Sequence, residues 1–134
     1  MNIRDSGEAT ITQASGTTLN AGSGNILIEM GTLNSPGSIT LGNLVTQGGD
    51  IQVLGQGNIN LTGDIFTQVP SGTAGDITIA TPFGNISAAT NRVINANSED
   101  ISIGRGGNII LEAPGDITTS IVSAYGAEAG EIFA

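Results

Sequence analysis

Cysteine, histidine, lysine and tryptophan are all missing from this chain of 134 residues. Without Cys there is no disulfide framework and no thiolate metal site. Without either Cys or His the usual nucleophile–base pairs are unavailable, so an enzyme is not expected. The missing lysines leave three arginines against twelve carboxylates, a formal net charge of −9. Affinity for nucleic acid rests on cations that neutralise phosphates, so DNA, RNA and anionic membrane surfaces are unsuitable partners. Aromatic residues make up only 3%, which withholds the large rings that fill an ordinary globular core. No run of 18 apolar residues is present, so no membrane span is expected. Met1-Asn2-Ile3-Arg4-Asp5 lacks the apolar stretch of a signal peptide, and an export signal would therefore lie outside this chain.

What the chain has instead is glycine, 21 residues of it, much of it opening a recurring phrase, Gly-Asx-Ile-x-aliphatic. Copies read Gly24-Asn25-Ile26-Leu27-Ile28, Gly49-Asp50-Ile51-Gln52-Val53, Gly57-Asn58-Ile59-Asn60-Leu61, Gly75-Asp76-Ile77-Thr78-Ile79 and Gly107-Asn108-Ile109-Ile110-Leu111. Each is a turn followed by a short alternating strand, and so short a strand cannot bury its apolar face unless similar copies stack on it. Aligned on their isoleucines, Ile26, Ile51, Ile77 and Ile101 form one column at intervals of 25, 26 and 24 residues. Ile59, Ile86 and Ile109 form a second, with Ile39 as an earlier member. Leu44 or Val45, Ile65, Val93 or Ile94, and Ile117 form a third. Three strands in about 25 residues predict an all-β fold, a right-handed, single-stranded parallel β-helix of about four to five coils, rising about 4.8 Å per coil.

The residue before each isoleucine sorts with the columns: Asn25, Asp50, Asp76 and Asp100 in the first, Asn58, Asn85 and Asn108 in the second, Asp64 and Asp116 in the third. This predicts an asparagine ladder along the second column, amide bonded to amide from coil to coil. The opening glycine is expected at positive φ, making Gly-Asx a corner. Side chains should alternate. Ile26/Ile28, Ile51/Val53, Ile59/Leu61, Ile77/Ile79, Ile101/Ile103 and Ile109/Leu111 point inward, and Leu27, Gln52, Asn60, Thr78, Ser102 and Ile110 outward. Segments 29–38, 68–74, 89–99 and 119–130 lack a clean phrase and read as loops or looser third faces. Residues 1–23 offer only Ala9-Thr10-Ile11 and Thr17-Thr18-Leu19 as strand fragments, and read as a degenerate first coil or a poorly ordered lead-in to repeats over 24–134. Gly130-Glu131-Ile132-Phe133-Ala134 begins another phrase, so the chain is expected to be a fragment of a longer solenoid.

Gly75-Asp76-Ile77-Thr78-Ile79, Gly107-Asn108-Ile109-Ile110-Leu111 and Ala113-Pro114-Gly115-Asp116-Ile117-Thr118-Thr119 resemble the shaft repeats of filamentous haemagglutinin-like exoproteins, the adhesins exported by two-partner secretion. The style is closest to the long cyanobacterial versions. The resemblance covers roughly residues 24–134. It implies a non-catalytic, secreted or cell-surface rod, exported through an outer-membrane transporter and engaging glycans or proteins on a host or neighbouring cell.

The one constellation with chemical potential is Asp50, Asp76 and Asp100. Stacked in adjacent coils, their carboxylates would lie about 5 Å apart and could share Ca²⁺. The plainer expectation is that each caps its own turn by accepting backbone N–H bonds; no other cofactor is expected. Gly104-Arg105-Gly106-Gly107 lacks the Lys-Ser/Thr of a phosphate loop and reads as a β-turn. A pair such as Asp64 and Asp116 is the alternative, a β-helical carbohydrate-binding or carbohydrate-cleaving protein, although three Arg and one Tyr furnish little for a sugar cleft. The sequons at Asn60 and Asn85 fall inside expected strands. The mixed outward residues argue against an ice-binding face.

Overall fold

A computed structural model describes residues 1–5, 10–30 and 37–134. Among them lie sixteen short strands and no helix, wound into a parallel β-solenoid of about five turns with three strands per coil. The first sheet stacks β1 (Asn2–Asp5), β4 (Ile26–Met30), β7 (Ile51–Leu54), β10 (Ile77–Ala80), β13 (Ile109–Glu112) and β16 (Ile132–Phe133). The second stacks β2 (Ile11–Thr12), β5 (Ile39–Leu41), β8 (Ile59–Leu61), β11 (Ile86–Ala88) and β14 (Ile117–Thr118). The third stacks β3 (Thr18–Asn20), β6 (Asn43–Val45), β9 (Ile65–Phe66), β12 (Val93–Asn95) and β15 (Ile121–Ser123). Every pairing is parallel and joins one coil to the next.

The interior is a file of aliphatic side chains in register. Ile26, Ile51, Ile77 and Ile109 stack on one another, as do Ile39, Ile59 and Ile86, and Leu44, Ile65 and Ile94, all of them buried. Burying each such side chain contributes roughly 1.5–3 kcal/mol. That contribution is repeated in every coil and offsets the entropy of ordering so glycine-rich a chain. The alternation in β4, β7, β8, β10 and β13 is as expected, with the middle residue turned outward.

The register departs from expectation after Ile77. The first column continues through Ile109 and Ile132, at intervals of 25, 26, 32 and 23 residues from Ile26. Ile101 is not a member; it and Ile103 are not inward at all but 79% and 81% exposed. With Ile109 in the place expected for Ile101, the other two columns shift as well: the second is continued by Ile117 and the third by Val122. Segments 89–99 and 119–130 also contain strands, β12 and β15, and β4 runs into the segment 29–38, of which residues 31–36 lie outside the described part. Residues 1–23 carry β1, β2 and β3, with Ile11 and Leu19 in the expected fragments and Ala9 outside the described residues.

The opening glycines serve a purpose other than positive φ. Among the described glycines positive φ occurs at Gly16, Gly22, Gly48, Gly72 and Gly84, so none of the phrase copies quoted has it. What Gly49, Gly75, Gly107 and Gly130 share is a backbone laid against the carbonyl of the same glycine one coil earlier. A Cβ on any of them would overlap that carbonyl. The preceding residue at the false copy is Glu99, which could not be accommodated there.

Candidate functional site

The Asx residues form ladders, but along columns of mixed composition. Asn25 Oδ1 accepts the Asp50 N–H at 2.8 Å, Asp50 Oδ1 that of Asp76 at 2.8 Å, Asp76 Oδ1 that of Asn108 at 2.8 Å, and Asn108 Oδ1 that of Glu131 at 3.0 Å. In the second sheet Asn58 Oδ1 takes the Asn85 N–H at 2.9 Å and Asn85 Oδ1 the Asp116 N–H at 2.8 Å. In the third, Asn43 Oδ1 takes the N–H of Asp64 at 2.9 Å and Asp64 Oδ1 that of Val93 at 2.9 Å. The expected amide-to-amide ladder of Asn58, Asn85 and Asn108 is thus replaced by oxygen-to-backbone bonds, and Asn108 sits in the first column. Only an Oδ1 acceptor is used, which Asp and Asn both supply. The apparent sorting of Asp from Asn therefore carried no structural information.

Asp50 and Asp76 are adjacent in their column, each holding the next coil rather than its own turn. Asp100 is elsewhere, so the proposed calcium triad of Asp50, Asp76 and Asp100 is not assembled. Among the described residues no three His, Cys, Asp or Glu side chains converge as metal ligands. Millimolar Ca²⁺ should leave the thermal transition of the protein where it is. Asp76→Asn, which keeps the acceptor, should be near neutral, whereas Asp76→Ala should cost about 1 kcal/mol in denaturant melts. The other candidates also separate: Asp64 and Asp116 stand on different ladders, Asn85 is occupied in its own, and Asn60 Oδ1 accepts the Ser87 hydroxyl at 3.0 Å.

Among the described residues the corner from the third sheet to the first varies widely in length. Its base is closed in every coil, by the backbone N–H of a glycine or by a threonine hydroxyl. The residue after the third-sheet strand closes onto the glycine that opens the next first-sheet strand. Gly24 N–H donates to Ala21 O at 2.9 Å, and the Thr46 hydroxyl donates to Gly49 O. The Thr67 hydroxyl donates to Gly75 O at 2.6 Å. Gly107 N–H donates to Ala96 O at 2.9 Å and Gly130 N–H to Ala124 O at 3.0 Å. What the base encloses differs: two residues at 22–23 and at 47–48, then seven at 68–74, ten at 97–106 and five at 125–129. The last three are lateral excursions leaving and rejoining an undisturbed coil, in the manner of Ω-loops.

These excursions stack on one another. Parallel bridges join Val69 to Ser98, Thr73 to Arg105, and Arg105 to Glu128. Arg105 is thereby a bridge residue, and the turn expected at Gly104-Arg105-Gly106-Gly107 falls instead at residues 100–104, where Gly104 N–H donates to Asp100 O at 2.9 Å. A side-chain network runs beside the bridges. Gln68 donates to Glu99, Asn95 to Gln68 at 3.0 Å, and Ser123 and the Tyr125 N–H to Asn97 Oδ1 at 2.9 and 2.8 Å. Asp100 Oδ1 accepts from the Ser102 hydroxyl at 2.6 Å, the Ser102 N–H at 3.0 Å and the Ile103 N–H at 3.2 Å. Those bonds, the hydroxyl's foremost, hold its carboxyl below the ordinary aspartate range. Because the folded value is the lower one, the turn's stabilisation is present above the ordinary aspartate range and is lost as pH falls through the depressed value. Relative to their intrinsic rates, the Ser102 and Ile103 amides should exchange faster only in that acid window.

Where the short corner of residues 47–48 meets the first long one, the step leaves a groove of about 250 Å³. Val45, Phe66, Val69 and Pro70 are its apolar surfaces, and Gln47, Gln68 and Glu99 its polar ones. The sequence assigns these residues no functional role; Val45 is there only the alternative to Leu44 in the third column, and 68–70 only part of a loop. Two signals point to them: Glu99 in place of Gly before Asp100, and a seven-residue gap before Gly75 where two residues suffice elsewhere. Comparison with protein-family models, with curated proteins and with solved structures gave no match for this chain.

Proposed function

We propose that the chain is shaft material of a secreted or cell-surface adhesin-like protein, a non-catalytic rod that carries recognition loops on its side. The observation that supports this reading is the division between an interior repeated coil after coil and excursions of seven, ten and five residues stacked at the corner between the third and first sheets. Backbone ladders along three sheets give a stiff, quasi-one-dimensional body. Loops held on a rigid scaffold are the usual carriers of binding. The acidic surface, net −9, favours solubility and cationic partners. The partner in this reading is a protein or glycan on an opposing cell.

Antibodies raised against residues 97–106 should label intact cells of the source organism. Labelling only after permeabilisation would remove the surface reading. Deleting residues 98–105 and joining the ends with a two-residue turn should abolish adhesion while preserving the β circular dichroism, because the base of the corner closes equally well over two residues.

A further inference from the structure

We propose that the groove at the step between the short and long corners takes an arginine or lysine side chain from a protein partner. At about 250 Å³ it is smaller than a typical small-molecule pocket, for which about 300–1,000 Å³ is usual. One long side chain is a better match. Val45, Phe66, Val69 and Pro70 offer surfaces to a methylene stem, and the carboxylate of Glu99 offers a counter-charge on the rim. The Phe66 ring adds a face that attracts a cation.

Charge selects the occupant. The chain has only three cationic side chains, and each already has a carboxylate: Arg4 with Glu29 at 3.2 Å, Arg92 with Asp64 at 3.9 Å and Arg105 with Glu128 at 3.3 Å. Glu99 receives none of them. The Gln68 amide donates to one of its oxygens, and Asn95 in turn donates to Gln68, so the carboxylate is positioned beside the groove. A second copy of this chain is a poor occupant, because it brings nine net negative charges and arginines already paired. Ile101 and Ile103 project from the same excursion, giving a partner apolar contact beside the charged one. The preferred segment is therefore basic and aliphatic.

The identity of the partner as a surface protein rests on the adhesin reading; the docking itself does not, and it is measured on the purified chain. Fluorescence anisotropy with a labelled peptide of alternating arginine and leucine should show saturable, salt-sensitive binding. Glu99→Gln should weaken it about fivefold, the loss of one charge contact at the rim. Ile101→Ser combined with Ile103→Ser should weaken it as well, with circular dichroism unchanged. Glu131→Gln, which removes the same charge from an exposed position just before β16, should alter it by less than about twofold. The proposal is overturned if Glu99→Gln and Glu131→Gln act equally, if a glutamate–leucine peptide binds as well, or if sedimentation shows copies of the chain associating through the groove. Failure here would leave cell-surface labelling untouched, and unlabelled cells would leave the peptide result standing.

Discussion

Ile77→Asp should abolish the cooperative unfolding transition and the β circular dichroism of this protein, whereas Thr78→Asp, one residue on, should leave both nearly intact. Ile77 is fully buried between Ile51 above and Ile109 below. The substitution forfeits roughly 1.5–3 kcal/mol of apolar burial and adds several more for a carboxylate with no partner in the file. Against a typical total of about 5–15 kcal/mol for a domain, that is enough to unfold it. Thr78 points away from the core, in a row with Gln52 and Ile110. An outward substitution there should cost under about 1 kcal/mol. Comparable loss in the two variants would contradict the assignment of faces.

Gly75→Ala should be nearly as damaging, for a reason that has nothing to do with hydrophobicity. A methyl group at this position overlaps the carbonyl of Gly49, so the two coils must part where Asp76 N–H meets Asp50 Oδ1. Overpacking against backbone, which cannot rotate aside, should cost about 3 kcal/mol or more. For a chain of this length that lowers the melting temperature by about ten degrees. Gly72→Asn supplies the contrast. Gly72 has a φ of +86° and open space where a Cβ would sit; Asn tolerates that conformation better than other residues, so backbone strain alone should cost about 1 kcal/mol and lower the melting temperature by only a few degrees. If the two glycines responded alike, close approach would not be what Gly75 is for.

The repeat, the three-strand coil and most inward-facing residues were legible because burial imposes a strict alternation on each strand, and Ile-x-Ile reports it directly. The start of the coil that opens with β13 was not. Asp100-Ile101-Ser102-Ile103 has the letters of a corner and strand, and its apolar alternation is indistinguishable from the real one at Ile109. Only the glycine before Asx separates them, since Gly107 must lie against Gly75 and Glu99 could not. Isoleucine alone does not mark the corner; the glycine does. Asp100 belongs to the false copy, which is why it does not stack with Asp50 and Asp76. The groove was illegible for a different reason: Val45, Phe66, Pro70 and Glu99 come from three successive coils and are brought together by a difference in corner length, which no single repeat contains.

The closed base beneath the long corners separates two rates of change. One backbone bond, from the opening glycine N–H to the carbonyl after the third-sheet strand, spans the short corner at Ala21–Gly24 and the long ones at Ala96–Gly107 and Ala124–Gly130, and lengthening a closed loop costs only about 0.6 kcal/mol for each doubling. Mutation can therefore rewrite, extend or delete the sequence above that bond while the glycine and isoleucine columns below it stay fixed. Descendants of a common ancestor would then diverge fastest along that edge of the rod, without having to refold the coils beneath it.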